Sequence, residues 1–433
     1  MIELKDQYDV IIVGAGVAGL YAALNLPRDK SVLLIAKEGL RKCDSYLAQG
    51  GICMLKSPLD YESYFEDTMR AGHYENNRES VEIMIKSSPA VIVDLIRYGA
   101  DFRKDENGEL AFTREGAHSA SRILFHDDCT GKEITKNLQK AVRKLPNVTL
   151  VPNCTMLDIL EQDNECFGIV ARDNKTGRLF SVYANYTIWA CGGVGGLYTN
   201  STNYRSLTGD ALAISLEHNI RLAHIDYVQI HPTTLYSKKK GRRFLISESV
   251  RGEGAHLLDK NGNRFTDEVQ ARDVVTAAIR KQMEKDGTDH VLLDMRPLGK
   301  EQILDHFPTI YKRCLAEGYD CTEQPIPVVP AQHYFMGGVW VDSHSKTSMQ
   351  RLYAAGETSC NGVHGKNRLA SNSLLESLVF AQRAAWHIAD EFSPLPTDRP
   401  EADYGKYADV RELFKDYKEK IITEREREAK TNE

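Results

Sequence analysis

Asp9-Val-Ile-Ile-Val-Gly-Ala-Gly-Val-Ala-Gly19 is the stretch of the chain that decides its fold. The apolar run predicts a buried strand, and the Gly-x-Gly-x-x-Gly spacing predicts a tight turn into a helix. In this pattern Gly14 permits the turn, Gly16 lets the backbone approach a pyrophosphate, and Gly19 lets the helix pack on the strand. The start of the helix then offers free N–H groups to an anion, so the stretch predicts a dinucleotide site.

The next strand lacks one residue that nicotinamide-binding proteins use. Ser31-Val-Leu-Leu-Ile35 predicts the strand, which in those proteins ends in an acid that holds the ribose. Ala36 and Lys37 follow here, so another segment must hold the ribose, while Lys37 either reaches a phosphate or is an ordinary exposed lysine. A second stretch, from Leu352 to Glu357 and from Asn367 to Leu375, is predicted to grip the same dinucleotide.

Composition excludes several classes of protein. The chain has 433 residues, enough for two or three domains, and a net charge of −6, which argues against nonspecific nucleic-acid binding. The basic run Lys238–Arg243 is either a solvated loop or a polyanion contact. Nine cysteines without a Cys-x-x-Cys indicate reduced cytoplasmic thiols and no metal site. The apolar stretch Val10–Leu26 is interrupted by glycines, so it predicts neither a signal peptide nor a membrane span.

The sequence pattern changes in the middle of the chain. The segment from Asp226 to Pro330 is rich in charge, and glycine-rich signals resume at Met336. We therefore predict an α/β fold in which a Rossmann-like dinucleotide-binding domain (1–225 and 335–395) is interrupted by an α+β capping domain (226–334), with the ligand between them. A short helical tail follows (396–433), and its alternating charges from Tyr404 onward predict an exposed helix.

Arginine and histidine recur in short polar segments. These segments are Thr113–Ser119, Gln229–Thr234, Ser247–Gly254, Ala271–Val275 and Ala331–Gly338, joined by Arg368. Several such residues beside a dinucleotide suggest a substrate with two carboxylates, because the rigid fork of arginine matches a carboxylate with two hydrogen bonds.

Each of these residues also has an ordinary structural interpretation. His231, before a proline, could be a loop histidine capped by the backbone. Arg272 could form a surface ion pair with Asp273, and Arg251 could do the same with its acidic neighbours. Glu115 could be a solvated carboxylate. The residues alone leave these alternatives open.

Seven segments match, in order, the motifs of a known family. They are Ala48–Gly51, Thr113–Ser119, His231–Thr233, Arg251–Gly254, Arg272–Val275, His333–Tyr334 and Ser371–Leu375. From Asp9 to about Ile388 the chain resembles the succinate dehydrogenase/fumarate reductase flavoprotein superfamily, and within it the L-aspartate oxidase family. In that family the C-terminal helical domain is longer, so the resemblance implies that here it is reduced to a short tail.

The resemblance implies FAD as the cofactor. Asp44 stands where relatives with covalently attached flavin carry a histidine, so the FAD is expected to be non-covalent. The residues expected at the cofactor are Gly14, Ala15, Gly16, Val17, Gly19, Lys37, Ser45, Ala48, Gln49, Gly50, Gly51, Asp210, Glu357, Ser373 and Leu374.

The resemblance also implies an activity and its residues. The reaction is oxidation of L-aspartate to iminoaspartate, with fumarate or O2 (giving H2O2) as acceptor, feeding quinolinate and NAD synthesis. Arg272 is expected to pass a proton at the substrate carbon, and Glu115 to face the α-amino group. The other expected residues are His231, His333 and Arg368 for catalysis, and Gln229, Ser247 and Glu248 for substrate binding.

Two other functions and one partner accompany this interpretation. A soluble fumarate reductase and a flavin-binding protein without turnover are the alternatives. A quinolinate synthase could receive the unstable imine, although no motif in the chain supports such a contact.

Overall fold

The computed structural model describes residues 4–432, so the predicted domain limits at residues 1–3 and 433 lie outside the described residues. The strands are β1 (Gln7–Val13), β2 (Val32–Ala36), β3 (Ile52–Cys53), β4 (Ile123–Leu124), β5 (Val148–Pro152), β6 (Cys154–Gln162), β7 (Glu165–Asp173), β8 (Leu179–Trp189), β9 (Leu222–Ala223), β10 (Val228–Leu235), β11 (Phe244–Leu245), β12 (His256–Leu258), β13 (Val291–Asp294), β14 (Ile326–Phe335), β15 (Gly338–Trp340), β16 (Leu352–Ala354) and β17 (Ser359–Cys360). The helices are α1 (Val17–Asn25), α2 (Tyr61–Ala71), α3 (Arg78–Arg97), α4 (Thr130–Val142), α5 (Asp210–Glu217), α6 (Glu248–Gly252), α7 (Arg272–Asp286), α8 (Lys300–His306), α9 (Pro308–Ala316), α10 (Asn372–Asp390) and α11 (Val410–Asn432).

A seven-stranded sheet forms the base of the molecule. Its order is β5-β2-β1-β8-β7-β6, with β16 also paired to β8. Strands β5, β2, β1, β8 and β16 are parallel, whereas β6, β7 and β8 form an antiparallel meander. Strands β1, β2 and β16 are largely buried on both faces, which explains their nearly continuous apolar runs. The predicted Rossmann-like α/β fold is confirmed.

A separate five-stranded antiparallel sheet, in the order β11-β10-β14-β13-β12, builds the cap. Its own hydrophobic core includes Leu257, Ile279, Leu293 and Val328. The chain enters this sheet at Val228 and leaves it at Phe335. A capping domain inserted into the base is therefore confirmed as architecture, while the residue limits of the domains stay a prediction.

The C-terminal helix α11 differs from its prediction. Instead of an exposed helix, it buries Tyr417 (2 % exposed) and Ile421 (fully buried) against the base. The Tyr417 hydroxyl donates to the Leu157 carbonyl oxygen at 2.8 Å. Phe414, Tyr417 and Ile421 follow helical spacing and form an apolar stripe between the charges. In the sequence, the alternating charges around these residues outweighed the apolar stripe and led to the prediction of an exposed helix.

The end of α11 also reaches the segment that leads into the cap. The Ile225 N–H donates to Glu428 Oε2 at 2.8 Å, and the Ile225 carbonyl accepts from Arg425 Nε at 3.0 Å. Both backbone groups of Ile225 are thus held by side chains of the tail, just before β10 begins.

Ile421→Ala tests whether the tail is part of the base. Because Ile421 is fully buried, we expect the truncation to lower the free energy of unfolding by about 2–5 kcal/mol. Its half-buried neighbour offers a matched control, so Ile422→Ala should cost clearly less. Urea unfolding followed by circular dichroism measures the free energy of unfolding of both variants. Equal losses would contradict the burial of Ile421 against the base.

Candidate active site

The glycine turn after β1 brings backbone unusually close to backbone. Gly14 has φ +121°, and a Cβ there would lie 2.0 Å from the Ala190 carbonyl oxygen. A Cβ at Gly19 would lie 1.9 Å from the Gly14 oxygen. Gly16 begins α1 without a side-chain cap, and the Val17 N–H points to Ser45 Oγ at 3.2 Å. The turn therefore leaves an uncapped helix start of the kind that binds phosphate.

One continuous cleft, open to solvent, runs from this turn to the cap. Of the residues expected at the cofactor, the following line it: Gly14, Ala15, Gly16, Val17, Lys37, Ser45, Ala48, Gln49, Gly50, Gly51, Asp210, Glu357, Ser373 and Leu374. Gly19 is not among the described residues that line the cleft, because its role is to let α1 approach Gly14.

Lys37 is neither exposed nor free. Its Nζ lies 2.7 Å from Asp210 Oδ2 and 2.8 Å from Thr208 Oγ1. The Thr208 hydroxyl donates in turn to the other Asp210 oxygen at 2.5 Å. The interpretation of Lys37 as an ordinary exposed lysine is wrong, since it joins the end of β2 to the start of α5 along the cleft wall.

Two carboxyl groups on partly buried residues, Asp44 and Glu357, line the cleft. Burial raises the pKa of Asp44 to about 7, and burial followed by the charge of Asp44 raises the pKa of Glu357 to about 8. Asp44 Oδ1 accepts from the Tyr204 N–H at 3.0 Å, and Glu357 Oε1 accepts from the Phe335 N–H at 3.0 Å. Asp44 Oδ2 is buried without a partner in the described part of the chain, and thus fits a polar group of a bound cofactor.

The cap end of the cleft is cationic. Four basic side chains from different elements line this end. They are Arg272 from α7, Arg368 from the turn before α10, His231 from β10 and His333 from β14. Gln229 connects the two arginines, because its Oε1 accepts from Arg272 Nη1 at 2.8 Å and from Arg368 Nε at 3.2 Å. Gln229 itself is not among the described lining residues, so it positions the arginines from behind.

Glu248 is the carboxylate that faces this cationic end. Arg272 Nε donates to Glu248 Oε2 at 2.5 Å, and Arg251 Nη2 lies 3.6 Å from Glu248 Oε1. Burial opposes ionisation, but Arg272 and then Arg251 outweigh it and lower the pKa of Glu248. The surface ion pairs considered for both arginines are therefore wrong. Asp273 instead contacts His73 Nε2 at 2.9 Å.

The two histidines of the cleft are held as neutral imidazoles. Burial first, and then the charge of Arg272, lower the pKa of both His231 and His333 well below its ordinary value. His231 Nδ1 lies 3.1 Å from both the backbone nitrogen and the carbonyl oxygen of Thr233. His231 Nε2 is buried without a hydrogen-bond partner among the described residues, so it is available to a ligand in the cleft. His333 Nδ1 lies 2.7 Å from Thr202 Oγ1.

Glu115 is buried rather than solvated, at 3 % exposure. Its carboxylate accepts from Ser249 Oγ at 2.8 Å and from Ser371 Oγ at 2.5 Å. Burial and the nearby charge of Glu248 raise the pKa of Glu115. A Cβ at Gly50 would lie 2.5 Å from Glu115 Oε1, so the flavin-type motif and this carboxylate are in contact.

Sequence reasoning missed several residues of the cleft. Ser371 lines the cleft, and Ser249, outside the described lining residues, donates to Glu115; neither serine carries a motif signal of its own. Thr202 and Arg242 also line the cleft, Arg242 from the basic run and Thr202 from a segment to which the sequence assigned no role. Ser247 does line the cleft as predicted, and its Oγ caps the start of α6 by accepting from the Ser249 N–H at 3.3 Å.

Comparisons with known proteins agree with this geometry. Residues 9–374 match the family model described as FAD binding domain. The chain is 47 % identical to an L-aspartate oxidase of Clostridium perfringens, over 97 % of this chain and 98 % of that protein. It is 49 % identical to an L-aspartate oxidase of Clostridium acetobutylicum, over 90 % of each. This chain belongs to the L-aspartate oxidase family.

Solved structures place this L-aspartate oxidase family member in a wider superfamily. It superposes on E. coli quinol fumarate reductase FrdA with a TM-score of 0.84 and 31 % identity, covering 90 % of this chain and 72 % of that one. It superposes on Mycobacterium smegmatis Sdh1 with a TM-score of 0.78 and 30 % identity, covering 94 % and 72 %. The predicted family, fold and cofactor are thus confirmed. Within the described residues, no helix has the length and apolar character to cross a membrane.

Gly14→Ala tests the cofactor end of the cleft. The added Cβ would strike the Ala190 oxygen in a backbone conformation that side chains rarely adopt, at a cost of about 1–3 kcal/mol or more. We expect FAD to bind at least about tenfold more weakly, measured by flavin titration of the apoprotein. Gly39→Ala is the control, because Gly39 lines the same cleft with nothing within 4 Å of an added Cβ. Equal affinities in the two variants would contradict the assignment.

Proposed function

We propose that this chain oxidises L-aspartate to iminoaspartate with non-covalently bound FAD, using fumarate or O2 as acceptor, in the first step of quinolinate and NAD synthesis. One observation carries the proposal: two arginines and two neutral histidines meet a buried carboxylate, Glu115, in the cleft that the FAD-binding segments line. The family membership supports the same activity.

The cationic end supports recognition of two carboxylates. Arg272 and Arg368 supply fixed guanidinium donors whose positive charge is only partly balanced by Glu248. His231 adds an Nε2 atom that has no hydrogen-bond partner among the described residues. Because the imidazoles are neutral, they donate hydrogen bonds without adding charge repulsion to the guanidinium groups. Anionic oxygens are the groups that such donors bind best.

Glu115 supports the choice of an amino acid over a plain dicarboxylate. Its carboxylate is buried with two serine donors and has no cationic partner among the hydrogen bonds and ion pairs of the described residues. An ammonium group of the substrate would supply that missing charge, which succinate and fumarate cannot do. A site built to pair a buried polar group rejects a ligand that leaves it unpaired.

Bound FAD would supply the acceptor for a hydride from the substrate carbon. The chain's own residues orient that carbon and move the proton. Arg272 is held on both sides, by Glu248 and by Gln229, so its guanidinium cannot swing away from the substrate. As hydride leaves the substrate carbon, the substrate also loses one proton. We assign the transfer of that proton to Arg272, whose guanidinium gives a proton to Glu248 as it takes one up.

Asp44 supports non-covalent binding of FAD, because a carboxyl group stands where relatives with covalent flavin carry a histidine. Free thiols at all nine cysteines support a reducing, cytoplasmic location. Transfer of the imine to a quinolinate synthase is also part of the proposal, although we assign no contact surface on this chain to that partner.

An anaerobic flavin titration tests the proposed function. Purified holoprotein is mixed with L-aspartate, D-aspartate or succinate, and the oxidised flavin band is followed. Bleaching by L-aspartate alone is expected. No bleaching, together with reoxidation of chemically reduced flavin by fumarate, would make the chain a fumarate reductase. Failure of both reactions would leave a flavin-binding protein without turnover.

Arg272→Leu separates chemistry from cofactor binding. Removing the proton-transfer group is expected to slow flavin reduction by aspartate at least about a hundredfold while FAD stays bound. Rapid-mixing absorbance measures the rate, and the flavin spectrum confirms occupancy. Arg280→Leu is the control, since Arg280 is exposed on the same helix. Normal reduction in the Arg272 variant would remove this residue from the mechanism.

Glu115→Gln tests recognition of the amine. Losing a buried charge-assisted contact of about 1.5–3 kcal/mol should lower kcat/KM for L-aspartate by about tenfold to a hundredfold. Succinate, which has no amine, should bind within about twofold of its original affinity by flavin perturbation. A loss of equal size for both ligands would show that Glu115 only supports the fold of the pocket.

A further inference from the structure

Exposed cations gather at the rim of the cleft, although the whole chain has a net charge of −6. We call the set of Lys42, Arg205, Lys238, Lys240 and Arg242 the rim patch; all five residues are exposed. Three of them come from the basic run that the sequence left as either a solvated loop or a polyanion contact. The proposed chemistry uses none of them.

The basic run is pinned beside the substrate end of the cleft. Arg242 lines the cleft and donates from Nη1 to the Thr202 carbonyl at 3.2 Å. Arg243 donates from Nε and Nη2 to Asn200 Oδ1 at 3.1 and 2.9 Å, and its N–H donates to the Ser201 oxygen at 2.8 Å. The loop held in this way carries Thr202, whose hydroxyl contacts His333.

Two more cations of the rim patch lie close to the basic run. Lys42 also lines the cleft, and Lys42 Nζ and the Arg242 guanidinium lie 5.6 and 5.7 Å from the centre of the Tyr204 ring. Arg205 Nη2 donates to the Gly241 oxygen at 3.3 Å, which ties it to the same loop.

Nearby acidic groups offset the rim patch only partly. Burial raises the pKa of Asp44 to about 7, so near neutral pH a large share of this group carries no charge. Glu38 accepts from Ser206 Oγ at 3.0 Å, and Glu317 is paired with Lys239 at 3.1 Å and with Arg313 at 2.8 Å. The field at the mouth of the cleft is therefore positive.

We propose that the rim patch draws anionic ligands into the cleft in proportion to their charge, and so favours fumarate over oxygen as the electron acceptor. This inference rests on the proposed function. The attraction between a fixed potential and a ligand scales with ligand charge, which is −2 for fumarate, −1 for aspartate and zero for O2. Neutralising the patch must therefore lower the logarithms of the rate constants for fumarate, aspartate and O2 in the ratio 2:1:0.

The double variant Lys238→Gln, Lys240→Gln tests this ratio. Neither lysine side chain has a hydrogen-bond or ion-pair partner in the described part of the chain, so only charge is removed. At an ionic strength of about 10 mM, where the screening length is about 30 Å, kcat/KM for aspartate should fall about threefold. The rate constant for reoxidation by fumarate should fall about ninefold, and that by O2 should not change. At about 1 M salt the losses should vanish.

Two further variants make the test specific. Lys238→Glu with Lys240→Glu doubles the charge change and should square each loss. Lys144→Gln with Lys281→Gln removes the same charge from exposed residues outside the cleft-lining set and should leave all three rates within about 1.5-fold. Equal losses for fumarate and O2, or equal losses in this control, would overturn the inference. Failure of aspartate to reduce the wild-type flavin would refute the proposed function itself.

Discussion

Buried positive charge at the cap end of the cleft is the constraint on which the rest of the site depends. Arg251, Arg272 and Arg368 are all at most 6 % exposed. Taking such charges out of water is costly unless each finds acceptors. Glu248 is the only carboxylate described within ion-pair distance of them, so these three guanidinium groups exceed their anionic partners. In the proposed function a dicarboxylate substrate balances this excess. Burial and the nearby arginine charge also keep His231 and His333 neutral.

Close backbone packing at the other end of the cleft meets a different requirement. Gly14, Gly19 and Gly51 leave no room for a side chain. A Cβ added at any of them would lie within 2.3 Å of a backbone oxygen. This tight framework is continuous with the substrate end through Gly50, which abuts Glu115. A shift in the flavin segment would therefore be transmitted directly to the proposed amine site. The position of the cofactor segment and the position of the proposed amine-binding group therefore depend on each other through the contact of Gly50 with Glu115.

The sequence predicted the elements with strong local signals and missed those that depend on tertiary contacts. The strand and turn at Gly14 and the strand that starts near Ser31 carry such signals, and both strands are present as β1 and β2. The ion pair of Arg272 with Glu248 joins residues 24 positions apart, and no periodicity reports it. Strand β6 was not predicted, and the buried stripe of α11 was outweighed by its charges. Gln229 was expected in the pocket wall, whereas only the folded geometry shows that it holds two arginines from behind.

Buried and exposed cations do different work in this molecule. Arg272 and Arg368 have their geometry set by Gln229, so they can discriminate the shape of a ligand. The cations of the rim patch are exposed and hydrated, so they carry little desolvation cost and can discriminate ligands only by charge. A net charge of −6 therefore says little about what approaches the cleft, because the field at its mouth is set by local residues. In the proposed mechanism, charge at the rim governs encounter, and the fixed donors inside the cleft, together with Glu115, decide which of the encountered anions is retained.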